Sequence, residues 1–374
     1  MNILKSILYI SLISSVVSCS TNSTKNVSDT ENLMEAAIEF PSSNTGKASD
    51  ILDSISFVPL NESEDALISN VSKLMIVDNH IFILDRFAKN TLTEFDENGN
   101  FIRHYGNRGE SGAEYKRAWD FDVDSEGVYI YDMNGKKIMI FTRDGRHIGN
   151  QQINNRLQGF AKLKDGYLLG LAKDEDDSTC ELEVVDSKMN PIRTYLPFKK
   201  NFKDDRMIDN LFRRIGATIV YNRPLANSVY VIDNNGDITE KIDLKFNDTD
   251  IPENIRDSYE IFLKEKGKEK YNYSYDSPLY DGNYIICPMF INGQKGTGIY
   301  VTNNKYFYVK EMNPMKDNVN LTDIIFPMAY SNKKIYTILE QPITNVLTDK
   351  NKIPVEIIHH LDNGDKVLCI YNLK

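Results

Sequence analysis

The side chains best equipped to recognise a ligand crowd into one stretch, Gly106 to Trp119. It carries Arg108, Glu110, Glu114, Tyr115, Lys116, Arg117 and the sole tryptophan of the chain, Trp119. Aromatic faces beside charged groups suit sugars or peptides, which offer polar edges and cations that stack on rings. A structural role is open to the same residues: the glycines and Glu114-Tyr115 could simply shape a crossing between two units of the fold. Arg86, Asp132 and Arg223 each flank the end of an apolar run. If those runs are equivalent strands, the three could ring one face; as solvated turn residues they would look the same.

Other chemistries find little support. Of the five histidines, His80 falls in a turn, and His104 and His147 fall at equivalent outer-strand positions far from any shared axis. His359 and His360 are adjacent, so on a strand they would point to opposite faces. No metal site is expected. Asp122-Val-Asp-Ser-Glu126 has acidic spacing but lacks the glycine-bearing loop that calcium requires. The four cysteines are Cys19, Cys180, Cys287 and Cys369, with no close pair to signal zinc or a disulfide framework. Cys287 and Cys369 lie in apolar runs and read as buried, reduced thiols. There is no nucleophile elbow, P-loop or dinucleotide fingerprint, and no cofactor is expected. The formal net charge is −10, and the one lysine-rich stretch, Lys264 to Lys270, alternates with acids. Nucleic-acid binding by phosphate neutralisation is therefore not expected, nor is avid attraction to anionic lipid.

The amino-terminal end says where the chain works. Lys5 and the amino terminus supply positive charge, Ile3 to Val17 is largely apolar, and Ser15-Val-Val-Ser-Cys19 closes the run. About 15 apolar positions are too few for a bilayer core, which needs ~20, so residues 1–18 read as a removable signal. The pattern resembles that of bacterial lipoproteins, which implies that Cys19 becomes the acylated first residue. Two or three chains on it give stable anchoring, where one alone is marginal. Residues 19–48 are polar at first and read as a lipidated, flexible tether, ~20 Å long on average by random-coil scaling of its first 10–20 residues. Ser20, in place of an aspartate, points to the outer membrane. The missing acidic cluster after Cys19 favours its periplasmic leaflet over the cell surface.

What would position these residues is a repeat. Lys73–Asp85 and Thr91–Tyr105 align with Asp120–Asp132 and Lys137–Gly149. Phe95 and Phe141 are 46 apart, as are Gly99 and Gly145, and Asp85 and Asp132 are 47 apart. A period in the forties made of four short β runs is the signature of a propeller blade. Within it, Leu74, Ile76, Ile81 and Ile83 alternate as strands require. Asn98-Gly99 and Asp144-Gly145 supply hairpin chemistry. Later units are more degenerate, with strands read at 160–171 and 180–185, then 215–246, 281–309, and 324–328 with 334–338 and 366–371. The expectation is an all-β, six-bladed β-propeller over 49–374, with four-stranded antiparallel blades. Ser54–Leu60 should close the ring by pairing with strands from the carboxyl-terminal end. Pro252, Ile255, Tyr259, Phe262 and Leu263 predict a helical insertion over 251–266, packed across the ring face.

These residues together resemble the six-bladed β-propeller lipoproteins of Bacteroides-type bacteria, related to NHL-repeat propellers. The matching phrases are Ile55-Ser-Phe-Val-Pro-Leu-Asn61, residues 73–85, Phe95–Ile102, Gly106–Tyr115 and Val367–Leu373. In the Gly106–Tyr115 connector, Ser111 stands where the family commonly has proline, and Ala113 where it has glycine. NHL-type lyases hold zinc with histidines around the pore, a pattern the five histidines here do not reproduce. The resemblance implies a propeller and a lipoprotein, and little about chemistry. The favoured expectation is a membrane-anchored, non-catalytic propeller that binds a glycan, peptide or partner protein in the cell envelope. Its candidate ligand-binding residues are Arg86, Arg108, Glu114, Tyr115, Arg117, Trp119 and Arg223. One alternative is an envelope hydrolase or lyase, with two carboxylates converging in the funnel. Another is a structural subunit of a membrane complex, with an exposed apolar patch on the 251–266 insertion.

Overall fold

Strand Val128–Asp132 is buried at every position, as is Ser228–Ile232, and His80–Asp85 is buried from Ile81 onward. A strand covered on both faces needs apolar residues at odd and even positions alike, and stacked blades supply that cover. The computed structural model describes residues 33–61, 66–173, 179–198, 208–223, 225–311, 327–340 and 353–374. The leader and Cys19 lie outside the described residues.

Six small antiparallel sheets form a closed ring. Blade one is Lys73–Val77, His80–Asp85, Thr91–Phe95 and Phe101–His104. Blade two is Ala118–Val123, Val128–Asp132, Lys137–Phe141 and His147–Gln152. Blade three is Leu157–Leu163, Gly166–Leu171, Cys180–Asp186 and Pro191–Pro197. Blade four is Phe212–Ile215, Thr218–Arg223, Ser228–Ile232 and Ile238–Lys245. Blade five opens on a broken inner strand, Tyr273–Ser274 with Leu279–Tyr280, before Tyr284–Ile291, Gln294–Val301 and Tyr306–Glu311. Blade six is Ala329–Ser331, Lys334–Leu339 and Val367–Leu373, completed on its outside by Leu52–Pro59. The closing strand pairs as the sequence predicts, with Ile55 opposite Tyr371 and Phe57 opposite Cys369.

The core is six apolar layers, one between each pair of neighbouring blades. Phe82 and Leu84 pack toward Phe121 and Ile130 of blade two, while Ile81 and Ile83 on the same strand pack toward Ile338 and Leu368 of blade six. This is the period-two alternation of a strand put to use on both faces. Gly99 locks the closure. Its φ is +81°, and a Cβ there would lie 2.0 Å from the Pro59 carbonyl oxygen, while its own carbonyl accepts the Asn61 N–H at 2.8 Å.

Four details differ from the sequence reading. The tether read over 19–48 ends earlier, because Met34–Glu39 is a fifth strand paired in parallel with Ile238–Lys245. Asn44 and Thr45 then bond Val309 and Phe307 on the edge of blade five. Phe40 is 3% exposed and sits 5.0 Å from the ring of Phe246 and 4.9 Å from that of Phe307. Only Ile38 and Phe40 anchor this belt by burial between 34 and 48, too few apolar positions to register as an element in composition. The 251–266 insertion is helical but broken into Glu253–Arg256, Tyr259–Lys264 and Gly267–Lys270, because Ser258 caps a new helix at the Ile261 N–H. His359 and His360 sit on a helix, Val355–Asp362, and not on a strand. In blade six the inner strand is 329–331, while the part of the expected 324–328 run before 327 lies outside the described residues.

Candidate functional site

Antiparallel strands sort the loops by end. In each blade the first and third hairpin turns fall at one end of the ring, and the second turn and the crossing to the next blade fall at the other. The inner strands of all six blades surround a cavity of about 800 Å³. Its rim comes from the turn end: Asp78-Asn79, Asp124-Ser125, Gly216-Ala217, Asn234 and Asn332. Asp78, Asn79, Ser125, Ala217 and Asn332 are exposed there. Asp78 and Asn79 have φ of 51° and 64°, and Asn332 and Lys333 have 50° and 57°. Two consecutive left-handed residues make the type I′ turn that matches strand twist, which is why Asp, Asn and Lys pairs stand at these two corners.

The cavity wall is charged but internally matched. Asp122 of blade two receives Arg214 of blade four through Nε at 3.0 Å and Nη2 at 2.7 Å. It also accepts the Lys162 N–H of blade three at 2.7 Å. Burial works against the Arg214 charge, but Asp122 outweighs it and pushes the guanidinium pKa up. Lys73 donates to Asp120 at 2.8 Å and to the Phe121 carbonyl at 2.7 Å. Arg213 joins Asp276 of blade five at 3.1 Å and the Met328 carbonyl of blade six. Desolvation raises the Asp276 pKa against the pull of Arg213. Asp124 is held by the Glu126 and Gly127 N–H groups at 2.8 and 2.9 Å. Phe160, Phe212 and Tyr330 add apolar and aromatic wall. Such a lining, with amides and hydroxyls at the rim and ordered charges behind them, suits a polar ligand more than an apolar one.

The residues singled out from sequence lie at the crossing end. Trp119 is 4% exposed, and the guanidinium carbons of Arg86 and Arg117 lie 4.5 and 4.9 Å from its ring. Arg86 is 2% exposed; its Nε donates to the Trp119 carbonyl at 2.6 Å and its Nη1 to Asp209 at 3.2 Å. Burial pulls the Arg86 pKa down, against Asp120 and Asp209. Asp209 belongs to the crossing into blade four, opposite blade one in a ring of six, so this bond spans the axis. Tyr115 is wholly buried, and its hydroxyl has no hydrogen-bond partner among the described residues. Glu114 caps the Ser111 N–H at 2.8 Å, which lowers its pKa. Arg108 is exposed and lies apart from the stack. Arg223 is elsewhere, pairing with buried Glu181 at 2.8 Å between blades three and four. The structure thus brings Arg86, Arg117 and Trp119 together and leaves Arg108, Glu114 and Arg223 outside that group. Among the described residues, no three His, Cys, Asp or Glu side chains are grouped to hold a metal.

The cavity lining has no local signature in the sequence because its residues come from all six blades, between one and seven from each, and are scattered over more than 250 positions. The inner-strand charges Lys73, Asp120, Asp122, Arg213 and Arg214 were the available signal, since a charge inside an apolar strand run needs a partner.

Residues 32–365 match the sequence family described as a domain of unknown function, DUF4934. The chain belongs to that family. No curated protein matches it in sequence. A Bacteroides fragilis protein described as exported superposes on this DUF4934 chain with a TM-score of 0.73 at 17% identity, over 91% of this chain and 99% of its own. A DUF4221 family member from Bacteroides vulgatus superposes with a TM-score of 0.51 at 10% identity, over 86% and 97%. At these identities the likeness concerns the fold alone. No helix among the described residues is long and apolar enough to cross a membrane.

Proposed function

We propose that this DUF4934 protein is a lipid-anchored, non-catalytic binding protein of the bacterial cell envelope that takes a polar ligand, a glycan or a peptide, at the turn end of its ring. The observation that carries the reading is the cavity of about 800 Å³ built by all six inner strands. A closed ring holds its lining rigid, so recognition costs little ordering. The carboxylates in the wall are engaged: Asp122 by Arg214, Asp124 by its turn and Asp78 by Arg143 at 3.4 Å. That favours binding over hydrolysis. Acylation of Cys19 would place the protein at the outer membrane, on the periplasmic leaflet.

The test uses the soluble chain from residue 20 on glycan and peptide arrays, beside pull-downs from envelope extracts. Ala217→Trp and Ser125→Trp, both on exposed rim turns, would obstruct the cavity without touching an interblade core. Arg108→Ala and Lys116→Ala report on the exposed crossing connector at the other end. The reading expects rim variants to lose a hit that connector variants keep. The reverse pattern would move the site to the connector, and hits indifferent to all four would remove both.

A further inference from the structure

The cavity holds its cations in pairs and leaves carboxylate oxygens open. Lys73, Arg213 and Arg214 line it with side chains at most 11% exposed, bound to Asp120, Asp276 and Asp122. Arg143 stands behind the rim, with Nη1 3.4 Å from an Asp78 oxygen and 3.0 Å from the Asp124 carbonyl. Each of these cations is already matched. The acids of the rim are not. Asp124 spends Oδ1 on the Glu126 and Gly127 N–H groups and the Tyr129 hydroxyl, and among the described residues nothing bonds its Oδ2. The Asp78 side chain is 70% exposed, and Arg143 reaches one of its oxygens. The first turns that ring the mouth carry Asp78, Asp124, Glu126, Asp165 and Asp281 against Lys164 and Lys333. Asp281 accepts the Tyr330 hydroxyl at 2.6 Å, and Lys333 donates to the Lys374 carbonyl at 3.4 Å.

Resting on the cavity as the binding site, we infer that its ligand is a peptide presenting a basic side chain, lysine or arginine, to the Asp78–Asp124 side of the rim. An anionic ligand would meet carboxylates at the rim and, behind them, cations already neutralised by buried partners. Drawing one of those cations away would strand its aspartate in the wall. A cationic ligand meets an open acceptor and a field of the right sign, in a chain of net charge −10. The wall below the rim separates a basic peptide from an amino sugar. Ile76, Val77, Ile215 and Met328 line it and are half-buried. Lysine and arginine carry their charge on an aliphatic stem, which packs on such a surface while the head reaches polar partners. An amino sugar has no such stem. Its ammonium sits directly on a hydroxylated ring, and those hydroxyls would lose water against the aliphatic wall.

Titration calorimetry tests this on the soluble chain from residue 20. The probes are hexapeptides alternating alanine with lysine, with acetyl-lysine or with glutamate, and hexameric chitosan. The lysine peptide is expected to bind tightest, about tenfold above the acetylated one, which is what a charge-assisted hydrogen bond is worth. Asp124→Asn should remove most of that margin while keeping Oδ1 for the turn. Glu356→Gln, the same charge change on an exposed position of the Val355–Asp362 helix, should leave it in place. Ala217→Trp should abolish binding. If the acetylated peptide, the glutamate peptide or chitosan binds as tightly as the lysine peptide, and Ala217→Trp still abolishes it, the basic peptide is overturned and the cavity stands as the site. Equal losses in Asp124→Asn and Glu356→Gln reduce the effect to net charge and overturn it too, as does a lysine peptide that does not bind. Lysine-peptide binding that survives Ala217→Trp takes the site away from the cavity, and both readings fall.

Discussion

Asp85 and Asp132 occupy the same station one blade apart. Asp85 accepts the N–H groups of Ser69 and Asn70, 16 and 15 residues upstream, and of Ala88, three downstream. Asp132 accepts those of Lys116 and Arg117, again 16 and 15 upstream, and of Gly135, three downstream. Each carboxylate pins the chain entering its blade's inner strand to the end of the second strand. Both are at most 1% exposed, so water has little access to the oxygens that hold these six donors.

Removing one such carboxylate should loosen a blade entry and leave three N–H groups without an acceptor. Asp132→Ala is expected to cost about 2–4 kcal/mol of stability, and Asp132→Asn less, since one acceptor oxygen stays. Denaturant unfolding measures both. A loss below about 0.5 kcal/mol, the usual range for surface changes, would show that these bonds do not carry the crossing.

Phe40 should behave as a core residue although it lies ahead of the repeats. It fills the seam between blades four and five against Phe246, Phe307 and Tyr300. Phe40→Ala should cost about 3 kcal/mol and speed amide exchange along Ile238–Lys245, whose outer edge the belt covers. If instead exchange there matches the native protein, the belt does not guard that edge.

The first two blades could be read from sequence because their turns obey local rules: Asn98-Gly99, Asp144-Gly145 and Asp85 with Asp132 recur at fixed spacing. The belt could not, because Met34 to Phe40 buries just Ile38 and Phe40, and its pairing partner is 200 residues away. The cavity was hidden for a related reason. Arg214 and Asp122 are separated by 92 residues, and nothing local marks them as partners. The connector drew attention because its aromatic and charged residues are contiguous, yet Tyr115 and Trp119 are buried. Contiguity in sequence reported a packing junction, and the cavity wall formed from residues that meet only when the ring closes.

Acid should loosen the outer hairpins before the ring. Asp186 accepts the Asn190 side-chain and backbone N–H groups and the Lys188 N–H, and these bonds lower its pKa from 3.8. A carboxylate with a lowered folded pKa stabilises the fold above its unfolded pKa, and that stability drains as pH falls through the folded value. Exchange protection in the 186–190 turn should therefore hold at neutral pH and decline below about pH 4. In Asp186→Asn the decline should vanish. A pH-independent native turn would show that the bonds do not favour the ionised form.

The thiols offer a count that bears on the anchor. Burial pushes Cys180 to about 11 and Cys369 to about 12, and Cys287 higher still, from 9.0. A raised folded pKa keeps its full contribution to stability below pH 9 and loses it as pH climbs through the folded value, so the protein should weaken in alkali. At neutral pH the folded chain should be inert to thiol reagents, being both buried and protonated. In denaturant, Cys180, Cys287 and Cys369 must all react. The sequence holds four cysteines, and acylation turns the Cys19 sulfur into a thioether that no thiol reagent detects. Three reactive sulfurs per denatured chain isolated from membranes are expected. A fourth, in protein that retains residue 19, would mean that its sulfur carries no lipid.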